Sequence, residues 1–139
     1  MLSNNEYKKR IHLMAKFSSS LIGLLTAAAL ASSGLAFAAE PAMTQDGILV
    51  DHKGMTLYTF DKDISAGKSV CNDQCATNWP PLTASESDKS VGDWTVIKRD
   101  DGASQWVYKG KALYYFKNDK AAGDKTGDNK GDVWHVAKP

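Results

Sequence analysis

Lys53-Gly54-Met55-Thr56-Leu57-Tyr58-Thr59-Phe60-Asp61-Lys62-Asp63-Ile64-Ser65-Ala66-Gly67 returns 56 residues later as Lys109-Gly110-Lys111-Ala112-Leu113-Tyr114-Tyr115-Phe116-Lys117-Asn118-Asp119-Lys120-Ala121-Ala122-Gly123. Eight of the fifteen positions are identical without a gap, so the pattern K-G-x-x-L-Y-x-F-x-x-D-x-x-A-G occurs twice in one chain. Trp79 and Trp134 follow their copies at nearly the same distance. A unit too small to bury its apolar face alone packs against its copy. The expectation is one small all-β domain of two pseudo-symmetric hairpin or meander repeats, about 47–82 and about 94–137.

Within each copy the pattern reads as strand, turn, strand. Ile48-Leu49-Val50 is β-prone, Asp51-His52-Lys53-Gly54 is a turn, and Leu57 to Phe60 is the returning strand. In the second copy, Trp94 to Lys98 alternates, Asp100-Asp101-Gly102 turns, Gln105 to Tyr108 returns and Ala112 to Phe116 runs on. Val133 to Val136 makes a last strand, and the polar stretch Thr83 to Asp93 reads as a link. Alternation puts Tyr58 with Phe60 on one face and Leu57 on the other, and Tyr114 with Phe116 opposite Leu113. Asp63 and Asp119 stand just past the strands, where a carboxylate can accept backbone bonds from the following turn.

The N-terminus has a different character. Lys8, Lys9, Arg10 and Lys16 precede an apolar run from Leu21 to Phe37, which closes on Ala36-Phe37-Ala38. Positive region, apolar region and A-x-A site are the features of a cleavable signal peptide over 1–38, leaving 39–139 as the exported chain with no membrane span. The leader holds four of the 17 basic residues and one of the 16 acidic ones, so the remainder has 13 basic against 15 acidic, a formal net of −2. No basic cluster survives, which argues against a nucleic-acid partner. A periplasmic or secreted destination follows.

That destination bears on Cys71 and Cys75, the only cysteines. In an oxidising compartment a structural disulfide is the default. Two sharper readings stand beside it. One is a thiol-redox pair, although redox proteins favour C-x-x-C beside a βαβ pattern. The other is a soft copper site in which His52 and His135 join the two sulfurs.

The paired Tyr58-Thr59-Phe60-Asp61-Lys62-Asp63 and Tyr114-Tyr115-Phe116-Lys117-Asn118-Asp119 resemble the bacterial secreted-repeat, lipoprotein-associated family of unknown function, marked by Y-x-(F/W/Y)-x-x-D. Cys71 to Pro81, read as C-x-x-x-C-x-x-x-W-P-P, and Val133-Trp134-His135-Val136 are similar to that family's first repeat and its end. Many members carry a lipid-acceptor cysteine that this leader lacks, so the resemblance implies a soluble exported form. It implies no catalytic residues.

The aromatic faces of Tyr58, Phe60, Tyr114 and Phe116, with Asp63 and Asp119, could form a ligand platform, but aromatics on one strand face are more often core. The acidic, Gly-rich run 119–132 lacks the register of a calcium loop. No G-x-S-x-G, H-E-x-x-H or phosphate-cradling loop occurs. The sequence therefore predicts a non-catalytic binding or structural module of the cell envelope, without a cofactor, whose partner is an envelope protein or a small ligand. The alternative is a periplasmic copper or thiol-redox protein using Cys71, Cys75 and His135.

Overall fold

The computed structural model describes residue 34 and residues 38–139. The expected leader falls outside the described residues apart from Gly34 and Ala38. Residues 38–139 belong to one compact unit, and among the described residues no helix is long and apolar enough to cross a membrane.

Among the described residues the regular structure is almost all β, in short strands joined by turns. Strand β1 (Met43–Gln45) pairs with β2 (Ile48–Val50). β3 (Tyr58–Phe60) pairs with β8 (Trp134–Val136). The third sheet is centred on β6 (Ser104–Tyr108), which pairs with β4 (Thr83–Ala84), β5 (Trp94–Lys98) and β7 (Lys111–Ala112). All of these pairings are antiparallel. Among the described residues a short α-helix, α1 (Gln74–Asn78), and a 3₁₀ turn at Lys130–Asp132 complete the fold.

Four features depart from the sequence reading. The strand expected from Ala112 to Phe116 is confined to Lys111–Ala112, and Tyr114 beyond it makes only isolated bridges, to Tyr58 and Pro81. β1 is not among the expected strands; it is joined to β2 by Asp46 (φ 51°) and Gly47 (φ 79°), the Asp-Gly pair that a tight primed hairpin turn demands. The expected hairpin between Ile48–Val50 and Leu57–Phe60 is reduced to a Val50–Thr56 bridge, flanked by Leu57 N–H to Leu49 C=O (3.1 Å) and Asp51 N–H to Met55 C=O (2.9 Å). Beyond it the chain crosses to β8. Thr83–Ala84, read as link, is strand β4, because Leu82 and its neighbours complete the second repeat's sheet.

That crossing follows a rule. Tyr58 N–H donates to Tyr114 C=O at 2.8 Å, and Tyr114 N–H donates to Tyr58 C=O at 3.0 Å. Equivalent residues of the two copies thus pair with each other, and a pseudo-two-fold axis passes between them. The bonds flanking this pair come as twins. Leu49 N–H reaches Ala137 C=O at 2.9 Å, and Trp106 N–H reaches Leu82 C=O at 2.8 Å. Ala137 N–H reaches Leu57 C=O at 2.8 Å, and Leu82 N–H reaches Leu113 C=O at 2.9 Å. Asp61 N–H bonds Val133 C=O and Lys117 N–H bonds Asn78 C=O. The segment closing each repeat therefore lies against the motif strand of the other: the repeats exchange their last strands.

Strand alternation distributes the core as the sequence predicts. Tyr58, Tyr114 and Phe116 join Trp79, Trp134, Val107 and Cys71 in one apolar cluster, with Phe60 packed against it. Leu57 and Leu113 join Leu49, Leu82, Trp94 and Trp106 in a second. These two clusters, one on each side of the Tyr58–Tyr114 pairing, make up the interior.

Candidate functional site

Of the residues singled out in the sequence, the motif side chains meet at the pseudo-two-fold axis. Tyr58 Oη donates to Asp119 Oδ2 at 2.6 Å, and Tyr114 Oη donates to Asp63 Oδ2 at 2.5 Å. The tyrosine of each copy is bonded to the aspartate of the other. The second oxygen of each carboxylate holds its own loop: Asp63 Oδ1 accepts from Val70 N–H at 2.8 Å and Asp119 Oδ1 from Thr126 N–H at 2.9 Å. Thr126 Oγ1 also bonds Asp119. Both tyrosines are fully buried. Burial first, and then the carboxylate partner, push both phenols well above the ordinary tyrosine value. Burial also raises Asp63 above the usual carboxylate value, against the opposing pull of its Tyr114 and Val70 bonds and of Arg99.

The remaining motif rings form a four-membered stack. Phe60 lies on Trp134 (4.1 Å between centroids), Trp134 on Trp79 (3.8 Å) and Trp79 on Phe116 (4.3 Å). Tyr58 meets Trp79, and Tyr114 meets Trp134, edge to face. No open cleft separates these groups: tyrosines, carboxylates and rings are used on one another.

Cys71 and Cys75 are joined by a disulfide, with 5.2 Å between their Cα atoms. Helix α1 supplies the local turn that the three-residue spacing needs. The oxidised sulfurs are not thiolates, and the two histidines lie elsewhere. His52 Nε2 contacts Glu40 C=O at 2.8 Å. His135 contacts Asp61 Oδ2 through Nε2 at 2.7 Å and Asn129 Oδ1 through Nδ1 at 3.2 Å. The copper site of His52, Cys71, Cys75 and His135 is therefore not assembled, and among the described residues no three His, Cys, Asp or Glu side chains gather as ligands. Two further aspartates of the 119–132 run serve the backbone: Asp124 accepts from Lys120 and Ala121 N–H, and Asp128 from Val136 N–H.

Sequence reasoning missed Arg99. Its guanidinium is buried and donates to Ser69 Oγ (2.9 Å), Gln105 Oε1 (2.7 Å) and Cys71 C=O (2.6 Å), while Nε reaches Asp101 Oδ2 at 3.2 Å. Ser69 Oγ in turn bonds Tyr114 Oη at 2.6 Å. The disulfide loop of the first repeat is thus tied to the β5–β6 hairpin of the second. The Ala103 N–H, and then Arg99, hold Asp101 below the usual carboxylate value. Beside this network an acidic hollow of about 290 Å³ is lined by Asn72, Asp73, Asp100 and Asp101. Asp100 accepts from Asn72 Nδ2, so that hollow is in part closed on itself.

A larger groove, about 420 Å³, opens on the side of the second cluster. Thr59, Leu113, Val136 and Ala137 form its floor, and Asp61, His135, Tyr108, Lys109, Lys111 and Lys138 its walls. Its position follows from one unmatched pair in the duplication. Thr59 corresponds to Tyr115, and alternation sends both to the second cluster's side. Tyr115 covers its half, packing on that cluster and donating from Oη to Asp51 Oδ2 at 2.9 Å. Burial and that carboxylate raise the Tyr115 phenol above its ordinary value. Thr59 is too short to cover the other half.

No curated protein and no solved structure matches this chain. The profile of a family described as "Secreted repeat of unknown function" matches it twice, over residues 41–83 and 95–138. The two matches span both motif copies and the strands that close them, and together more than half of the chain. The protein belongs to that family of secreted repeats, as an all-β member with two copies in one domain.

Proposed function

We propose that this protein is an exported, non-catalytic binding module of the cell envelope, delivered to the periplasm or beyond by cleavage after Ala38, and that it takes its ligand in the Thr59 groove. One observation carries the reading. The duplicated fold is closed symmetrically around its axis, and the mismatch between Thr59 and Tyr115 leaves a recess on one side. A concave, partly apolar site with a few polar groups on its walls is the usual form of a ligand site. The residues that most resemble catalytic groups, Tyr58, Asp63, Tyr114 and Asp119, are engaged with one another and with backbone N–H groups.

Two measurements test this. The full chain produced in an export-competent bacterial host is expected in the exported fraction with Ala39 at its N-terminus; retention in the cytoplasm with the leader intact would defeat the export reading. A ¹⁵N NMR screen of the exported protein against mixed fragments (neutral sugars, amino acids, aromatic acids, amines) is expected to move the amides of Thr59, Leu113 and Val136. Hits confined to other faces would defeat the groove.

A further inference from the structure

We infer that the groove is an oxyanion site: it takes a ligand with a phosphate or carboxylate group on a small apolar body. This rests on the reading of the protein as a binding module, and adds what it binds.

The argument is the charge the duplication places there. Lys109, Lys111 and Lys138 are exposed on the groove wall. Among the described residues none of them is in an ion pair. The one carboxylate of the wall, Asp61, is engaged with His135 at 2.7 Å. The corresponding wall in the other half is different. Lys111 corresponds to Met55, Lys138 to Thr83 and His135 to Pro80, while Asp61 corresponds to Lys117. The four charged wall positions, 61, 109, 111 and 138, together carry the same formal charge as their counterparts in the covered half, Lys117, Lys53, Met55 and Thr83; the open side differs in that cations stand at 111 and 138 around a floor that Thr59 leaves uncovered. Three ammonium groups around one recess attract an anion, and their field is strongest over a low-dielectric floor. That floor is Leu113, Val136 and Ala137, each nearly buried. Tyr108 adds an aromatic wall, with Lys109 Nζ held 5.1 Å from its ring centre. Lysines on flexible stems suit a rounded oxyanion approached from several sides. The apolar floor adds a place for a short hydrocarbon or ring.

Because the two halves share one architecture, the opposite half supplies the test variants. Thr59→Tyr copies Tyr115 and should fill the recess. Lys111→Met with Lys138→Thr copies Met55 and Thr83 and should leave the recess open but less charged. The probes are phenyl phosphate and benzoate, with benzyl alcohol and benzylamine as neutral and cationic counterparts, read by ¹⁵N NMR on the full exported protein. Near-ultraviolet circular dichroism confirms that each variant keeps its aromatic stack.

The expected result is saturable binding of at least one of the two anions, with shifts at Thr59, Lys111, Leu113 and His135. Thr59→Tyr should abolish it. The double lysine variant should weaken it ~5-fold, and raising the salt from about 20 to about 200 mM should weaken it further. Which anion binds more tightly separates a phosphate ligand from a carboxylate one. Equal binding of benzyl alcohol, or anion binding unchanged in the double lysine variant, would overturn the oxyanion inference while leaving the groove a binding site. Anion shifts scattered over surface lysines and persisting in Thr59→Tyr would overturn it too. Absence of binding by all four probes would count against both readings.

Discussion

Trp79 and Trp134, the corresponding tryptophans of the two repeats, lie face to face with 3.8 Å between ring centres and 4° between planes. Each closes its own repeat and packs on the motif phenylalanine of the other, so the centre of the domain belongs to neither copy.

Gly127 sets how closely that stack can approach the loop after β7. A Cβ there would lie 2.7 Å from Trp79 Cη2 and 3.0 Å from Phe116 Cδ1. Replacing glycine by alanine lowers the entropy of the unfolded chain and by itself stabilises by about 0.4–1 kcal/mol. Overpacking against two rings costs about 1–3 kcal/mol, so the clash wins. Chemical denaturation of Gly127→Ala should show a net loss; a gain would mean that the loop yields freely.

The crossed tyrosine–aspartate bonds predict which residues couple. Tyr58→Phe leaves the buried Asp119 oxygen short of a donor, at a cost of about 1–3 kcal/mol. A double-mutant cycle of Tyr58→Phe with Asp119→Asn should give a clear coupling energy, and one with Asp63→Asn a value near zero. The reverse order would place each bond inside its own repeat.

Tyr58, Tyr114 and Tyr115 all hold their protons above the ordinary tyrosine value. The unfolded chain releases them near pH 10. Their contribution is thus complete below about pH 10 and is lost as the pH rises beyond it, at about 1.4 kcal/mol per pH unit for each tyrosine still protonated in the fold. Asp63 acts with the same sign at low pH. Its folded value lies above 3.8, so stability falls as the pH climbs from 3.8 through that raised value. Thermal melts should show both slopes, and Asp63→Asn should remove the acidic one.

The disulfide closes a very short loop. On the chain-entropy model it contributes about 2 kcal/mol, and Cys71→Ala with Cys75→Ala should leave the fold intact with a loss of that size. Arg99 holds the same loop from within. Arg99→Ala removes donors from Ser69, Gln105 and Cys71 C=O together; each buried acceptor left short costs about 1–3 kcal/mol, so the loss should exceed that of the disulfide. If reduction of the disulfide unfolds the protein while Arg99→Ala is silent, the order of importance is reversed.

The duplication, the strands around it and the two-faced burial of Leu57 against Tyr58 were legible because alternation is local. The exchange was not. Spacing places Asp63 five residues after Tyr58 but says nothing about which tyrosine it meets, and only the pairing of Tyr58 with Tyr114 decides that. Asp46-Gly47 was a readable turn signal for β1. Arg99 offered no signal: a charged residue before Asp100-Asp101-Gly102 resembles any turn flank, and its burial depends on oxygen acceptors from Ser69 and Cys71, distant in sequence. The mismatch of Thr59 with Tyr115 was visible in the aligned copies. It gained meaning once the fold showed that both residues face the second cluster's side.

The exchanged closing strands have a consequence for how the chain can come apart. Residues 85–90, between them, are exposed. A protease that nicks this segment would cut the backbone without releasing either part, since each fragment still grips the strand that finishes the other. The halves behave as clasped hands: a severed chain should stay one particle, and two separately made fragments should find each other and fold only together.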